Sequence, residues 1–184
     1  AWHQTLGTPY LPGSSVKGLT LAWAEQWQGH DRKDLARIFG PEPGVGSVVF
    51  LDALPLGKIV LEPEVMTPHY APYYQNGEVP GDWHSPIPIP FLAVARGQSF
   101  LFGVLPRQPH SERDGKDSIQ AAEWLSQALI ELGAGAKTAV GFGRFTEDTK
   151  AKEEYEKRLR DELEAQAAAD AAATLRRRVT RPLV

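Results

Sequence analysis

Cysteine is absent from the chain. That excludes disulfides and thiolate metal sites, and it fits a reducing compartment such as the cytoplasm. No run approaches 18 consecutive apolar residues, so no membrane span is expected. No charged-then-apolar leader is visible, so no secretory signal is expected. Strong charge of one sign is missing as well: the formal net charge is −3. Residues 148–184 carry nine Lys/Arg and eight Asp/Glu, net +1, which leaves the remainder at −4. Any nucleic-acid site must therefore be a local patch and not a global field.

Catalytic signatures are also scarce. The histidines are His3, His30, His69, His84 and His110. They form neither H-x-x-x-H nor H-E-x-x-H; Asp82 and His84 give only a weak metal hint, and no metal or other cofactor is assigned. There is no G-x-S-x-G elbow. Asp52, in "FLDALP", reads as a strand-end carboxylate bonded to nearby backbone in preference to a catalytic group.

What the chain does contain fits one soluble α+β domain with attachments: 184 residues, 42% hydrophobic. "PGSSVKGLTLAWAEQWQ" predicts a helix over 14–28, capped by Ser14 or Ser15, with Val16, Leu19, Trp23 and Trp27 at helical spacing. "DRKDLARIFG" predicts a short second helix, with Asp31 as cap and Gly40 as stop. "SVVFLDALP" and "GKIVLEPEV" read as strands. Residues 62–90 hold seven prolines among Tyr70, Tyr73, Tyr74 and Trp83. They read as a long, ordered, irregular insertion, about 57–95 overall. "FLAVARGQSFLFGVLPR" predicts a hairpin turning at 96–98, with strands near 91–95 and 99–105. Ile119, Ala122, Leu125, Leu129 and Leu132 mark one face of a helix at 117–132, with Gly133 as C-cap and a short strand at 143–147 after it. From residue 148 to 184 the chain predicts a charged helical extension, supported by the i,i+4 pairs Glu153–Lys157, Glu154–Arg158, Glu156–Arg160 and Arg160–Glu164.

Two glycine-flanked basic sites carry the functional question. The first is "PGSSVKG", opening a helix. The second is "GAGAKTAVGFGRF" at 133–145, closing one. The second is not a P-loop, because Ala136 stands where that motif needs glycine and the loop ends a helix instead of starting one. It reads either as a flexible connection or as a loop laid along a polyanion, with close backbone N–H groups, Lys137, Thr138 and Arg144 as donors. At the first site, Ser14 and Ser15 sit where an anion could bind a helix N-terminus; the alternative is an ordinary capped helix with Lys17 in solvent.

"GTPYLPGSSVKG" resembles the signature of the RAMP proteins of CRISPR effector complexes, and "GAGAKTAVGFGRF" their C-terminal glycine-rich loop. "FLDALP", "MTPHYAPYY", "DWHSPIPIPFLAV" and "ELGAGAKTAVGFGRF" are similar to the sixth-subunit family of type III-B (Cmr) complexes. The resemblance runs from about residue 3 to residue 145. It implies a ferredoxin-like (RRM-like) fold that departs from the family by lacking its first strand. That vacancy is expected to be filled by upstream residues, by "RRRVTRPLV" or by another chain. The resemblance also implies a cytoplasmic, non-catalytic subunit of antiviral defence, in contact with guide RNA near its 3′ region, with target RNA and with other RAMP subunits, and with no membrane. Its phosphate contacts carry over to Ser14, Ser15, Lys17, Gly135, Lys137, Thr138, Gly141, Gly143 and Arg144. Two other classes stay open: a guide-processing endoribonuclease using His3 with His69, and a protein adaptor whose RNA contact is incidental.

Overall fold

The computed structural model describes residues 1–27, 32–41, 43–68, 71–81 and 83–179. His30, the expected cap Asp31, His69, Tyr70, Asp82 and residues 180–184 lie outside them. The chain divides into two compact units, Ala1–Phe145 and Thr146–Val184. The first is mixed α and β. Its elements are β1 (Trp2–His3), β2 (Thr8–Pro9), α1 (Gly13–Trp27), α2 (Arg32–Phe39), β3 (Val48–Phe50), β4 (Leu54–Pro55), β5 (Leu61–Met66), α3 (Ala71–Asn76), β6 (Ile89–Val94), β7 (Phe100–Leu101), β8 (Val104–Pro106), α4 (Glu112–Glu131) and a 3₁₀ turn at Thr138–Val140. The second unit carries α5 (Thr149–Val179).

The strands pair antiparallel two by two: β1–β2, β3–β8, β4–β7 and β5–β6. Three of these pairs are successive stretches of one ribbon. Phe50 pairs with Val104 and Leu54 with Leu101, so residues 51–53 face only 102–103. That is a one-residue β-bulge. Beyond it, the Leu56 N–H donates to the Ser99 carbonyl (2.9 Å) and the Ala95 N–H to the Val60 carbonyl (3.0 Å). The ladder resumes there in the same register, with Leu61 opposite Val94. The expected turn at 96–98 exists, with Gly97 at φ 76°. Its flanks do not pair with each other, however. Each continues the ribbon against the strand that came before residue 67.

The expectation that prolines keep 62–90 irregular is overturned for α3, whose Pro72 sits in the first turn where a helix tolerates it, and for β5 and β6, which contain Pro63 and Pro90. For the strands the reason is register. In an antiparallel ladder, hydrogen-bonded pairs alternate with pairs that exchange no backbone bond. The Ala95–Val60 bond makes 61↔94, 63↔92 and 65↔90 the unbonded pairs. Pro63 and Pro90 occupy two of these positions, where an outward-facing N–H would find no partner in a two-stranded ribbon. Pro9, Pro55 and Pro106 obey the same rule, since Tyr10, Leu56 and Arg107 make the neighbouring backbone bonds.

Other sequence expectations shift as well. The opening residues, expected as loop, form the β1–β2 hairpin, closed by the Tyr10 N–H on the Ala1 carbonyl. Leu11 then bridges to Ala53 across the bulge. No strand forms at 143–147; the Phe145 N–H reaches back to the Leu129 carbonyl (3.3 Å), and its ring packs edge-on against Phe100 and Phe102. Helix α4 begins five residues earlier than expected because Ser111 caps it: its hydroxyl accepts from the Asp114 N–H (3.2 Å).

The buried face of α4 is also rotated from the expected one. Ala121, Trp124, Leu125, Ala128 and Leu129 are buried, whereas Ile119 is 64% exposed. Ala121 and Ala128 let α1 approach closely at Ala24, which a bulkier face would prevent. The main core joins α1, α2, α4 and β3, with Phe39 stacked between Phe50 and Trp124 (5.7 and 6.2 Å between rings). Each large side chain buried there contributes roughly 1.5–3 kcal/mol. A smaller core of Val16, Ala53, Leu125 and Leu129 lies under the bulge.

One polar knot crosses the main core. Asp117 is 5% exposed. Its carboxylate accepts from Arg37 Nε and Nη2 (3.0 Å each) and from the Ser47 hydroxyl (2.6 Å). Arg37 also donates to Asp34. Burial alone would raise the Asp117 pKa, but the hydrogen bonds from Arg37 and Ser47 and the Arg37 charge outweigh it and hold the group below the usual carboxylate range. Hydrogen bonds to Asp117 and then to Asp34 raise the pKa of Arg37 in turn. Helix α5 is capped by Asp148, which accepts from the Ala151 N–H (3.0 Å). Among the described residues its closed i,i+4 ion pair is Arg158–Glu162, not the four expected pairs. Such exposed partners are worth little and exchange freely.

Candidate nucleic-acid interface

The "PGSSVKG" stretch opens α1, but neither serine caps it. The helix starts at Gly13, and the Ser15 and Val16 N–H groups donate to the Pro12 carbonyl (2.8 and 3.0 Å). The cap arrives from the bulge: Asp52 Oδ1 accepts from the Gly13 N–H at 2.6 Å. This fits the backbone-bonding role expected of Asp52, with a partner near in space and remote in sequence. Gly13 is required by the same contact. A Cβ there would stand 2.4 Å from the Phe50 carbonyl oxygen. With Asp52 serving as cap, the Ser14 and Ser15 hydroxyls are left exposed on the first turn, next to an exposed Lys17.

The glycine loop is a closed lobe. The C-cap of α4 is Leu132, not Gly133 as expected; Gly133 follows it at φ 74°, the left-handed position at which helices commonly end. The Ala134 N–H donates to the Gly143 carbonyl (2.8 Å) and closes the neck. Side chains are excluded from both sides of the neck: a Cβ on Gly143 would meet the Ala134 carbonyl oxygen at 2.1 Å, and one on Gly133 the Gly143 carbonyl oxygen at 2.7 Å. Inside the lobe, Gly135 and Gly141 take φ of 109° and 99° with open space around them. Lys137, at φ 63°, is the one non-glycine residue with positive φ among the described residues. That conformation costs about 1–2 kcal/mol for a residue with a Cβ. Its carbonyl accepts from Val140 and Phe142.

Lys137 does not stand free in solvent. Its ammonium approaches Met66 Sδ (2.6 Å) and lies over the Phe91 ring (5.2 Å), both on the β5–β6 stretch of the ribbon. Phe142 meets the same ring edge-on. Arg144 donates to the Ile130 carbonyl (3.4 Å) at the C-terminal end of α4, where a cation is favoured by the helix dipole.

The fold brings the two motifs together. A cavity of about 270 Å³ lies between them, lined by Ser15, Val16 and Leu19 of α1, by Leu132, Gly133, Ala134, Gly135 and Thr138 of the loop, and by Leu11. Ser15, Gly135 and Thr138 therefore share one concave surface, with Ser14 and Lys17 on the adjoining turns of α1. Gly143 holds the neck, while Lys137 and Arg144 turn to the ribbon and to α4. Sequence reasoning missed Met66 and Phe91 as the seat of Lys137; they lie in the quoted stretches "MTPHYAPYY" and "DWHSPIPIPFLAV", but only the ribbon register places them beside the loop. Among the described residues, no group of three or more His, Asp or Glu side chains could hold a metal, and no helix is long and apolar enough to cross a membrane.

The chain is 44% identical over 123 residues to the CRISPR system Cmr subunit Cmr6 of Pyrococcus furiosus, covering 62% of this chain and 34% of that protein. It is 29% identical over 142 residues to its Saccharolobus solfataricus counterpart, covering 76% and 45%. Among solved structures it resembles a chain of the type III-B Cmr-beta complex bound to cognate target RNA, with TM-score 0.61, 29% identity, and coverage of 77% of this chain and 46% of that one. The chain thus spans less than half the length of these relatives. Residues 1–146, which include both glycine-flanked motifs, match the RAMP superfamily, and the chain belongs to it.

Proposed function

We propose that the protein is a Cmr6-type RNA-binding subunit of a type III-B CRISPR effector complex. In this reading the first turns of α1 and the glycine lobe track the phosphates of guide and target RNA, and neighbouring RAMP subunits continue the track. The domain is taken as ferredoxin-like, with its ribbon as an extension of the sheet, and the protein works in the cytoplasm. The observation that carries the reading is the cavity joining the two motifs. Two segments about 120 residues apart in sequence converge on one surface rich in hydroxyls and backbone N–H groups. Among the described residues, the N–H groups of Gly135, Ala136, Lys137 and Thr138 have no protein acceptor. Lys17 adds a positive charge on the adjoining turn of α1, on a chain whose net charge is −3, while Lys137 and Arg144 belong to the same loop with their head groups on the ribbon and on α4. Such contacts fix position on a backbone and leave sequence to base pairing.

The role is proposed as non-catalytic. His3 has a structural occupation: its Nδ1 accepts from the Leu6 N–H (3.2 Å), and its ring lies edge-on to Tyr10 (5.2 Å). Asp52 is spent on the α1 cap. The test is binding of the full chain to single-stranded RNA over a range of salt. Removing one lysine–phosphate interaction should reduce the log K against log salt slope by about 0.7. Lys17→Ala and Lys137→Ala should each do so, with similar weakening on all sequences. Unchanged slopes would remove the two motifs from the RNA site.

A further inference from the structure

The cavity between α1 and the glycine lobe is built for something other than a phosphate. Five of its nine lining residues, Leu11, Val16, Leu19, Leu132 and Ala134, are apolar. None is a lysine or arginine: Lys17, Lys137 and Arg144 all lie outside the lining. An anion placed inside would lose its water and meet no counter-charge, which costs several kcal/mol. A planar, mostly apolar group with polar edges would instead bury its faces against the leucines. Its edge atoms would meet the Ser15 and Thr138 hydroxyls and the Gly135 N–H, none of which bonds to another described residue.

Size narrows the choice. About 270 Å³ is just under the roughly 300 Å³ at which sites for drug-sized ligands begin. It is ample room for one ring system. An exposed Lys17 on the neighbouring turn and apolar walls within match a nucleotide entering base first, its phosphate left outside. Resting on the RNA-binding reading above, we infer that this cavity receives a single unstacked nucleobase of the bound strand, while the phosphates on either side run past Lys17 and the lobe.

The test compares two strands of equal charge: a 15-nucleotide oligouridylate and a fully abasic ribose-phosphate strand of the same length. Burying the apolar faces of one ring is worth about 1–3 kcal/mol, so the wild-type full chain should prefer the base-bearing strand by about fivefold to about 150-fold. Ala134→Leu, which fills the cavity mouth without touching a charge, should bring the two affinities together and leave the salt slope unaltered. Should that variant lose its cooperative thermal transition, Thr138→Val serves instead. It removes one hydroxyl at constant volume and should cut the preference by about threefold or more. A folded Ala134→Leu or Thr138→Val protein that keeps the full preference overturns the inference. So does a wild-type protein that binds both strands equally with normal salt dependence; that result leaves the phosphate reading standing. Failure of the wild type to bind either strand in a salt-dependent way overturns the RNA reading and this inference together.

Discussion

Replacing Asp52 by alanine removes the only side-chain cap of α1 among the described residues. Asp52 Oδ1 accepts from the Gly13 N–H at 2.6 Å, and the interaction is charge-assisted and lies at the positive end of a 15-residue helix. Caps of this kind are worth about 0.5–2 kcal/mol. The upper half of that range applies, because the same residue ties the bulge to the helix start and holds Gly13 beneath Phe50. Asp52→Ala should therefore cost about 1–2 kcal/mol. For a protein of this length, each kcal/mol shifts Tm by about 2–4 °C. Urea denaturation should show a lower midpoint at constant m, since the surface exposed on unfolding is unaltered. Asp52→Asn keeps an acceptor oxygen and should recover most of the stability. An alanine variant as stable as the wild type would refute the cap and, with it, the explanation of why the serines are left free.

Gly13→Ala should destabilise by on the order of 1–3 kcal/mol, because its Cβ would strike the Phe50 carbonyl and backbone must move; a melting curve decides this. Asp117→Asn should cost about 2–3 kcal/mol, less than the roughly 3–5 for a fully buried pair, since Arg37 is partly exposed and keeps Asp34. The Asp117 pKa is lowered in the folded state, so its contribution is full above the ordinary carboxylate value near 3.8 and is lost as pH falls further through the lowered value. Wild-type stability should drop over that acid window, and the Asn variant should show a flatter acid limb. Guide or target RNA should stay intact after prolonged incubation of the protein with magnesium, read on a denaturing gel. Cleavage abolished by His3→Ala or Asp52→Asn would overturn the non-catalytic role.

The longer helices, the glycines that follow them at Gly40 and Gly133, and the turn at Gly97 were legible because each has a local signal: an apolar period, or a glycine at positive φ; α3, inside the proline-rich stretch, was not. Nor was the ribbon. Proline reads locally as a breaker, and only the register that places Pro63 and Pro90 at unbonded ladder positions reconciles them with strands. The start of α1 was misassigned because Ser14 is a good cap by propensity, while the actual acceptor sits 39 residues away on a bulge that no local pattern announces. The buried face of α4 was rotated because Ile119 outranks Ala121 in hydrophobicity, yet close helix packing selects the alanines. Both site motifs were legible as motifs. Their convergence on one cavity needed the fold.

If the first turns of α1 and the glycine lobe form one RNA surface, a single bound strand must touch both. Photocrosslinking the full chain to 4-thiouridine-substituted single-stranded RNA, followed by peptide mapping, tests this most directly. Adducts are expected in both segments, 11–19 and 132–144. Adducts confined to α5 or to the far end of the ribbon, with those two segments unmodified, would contradict the shared surface.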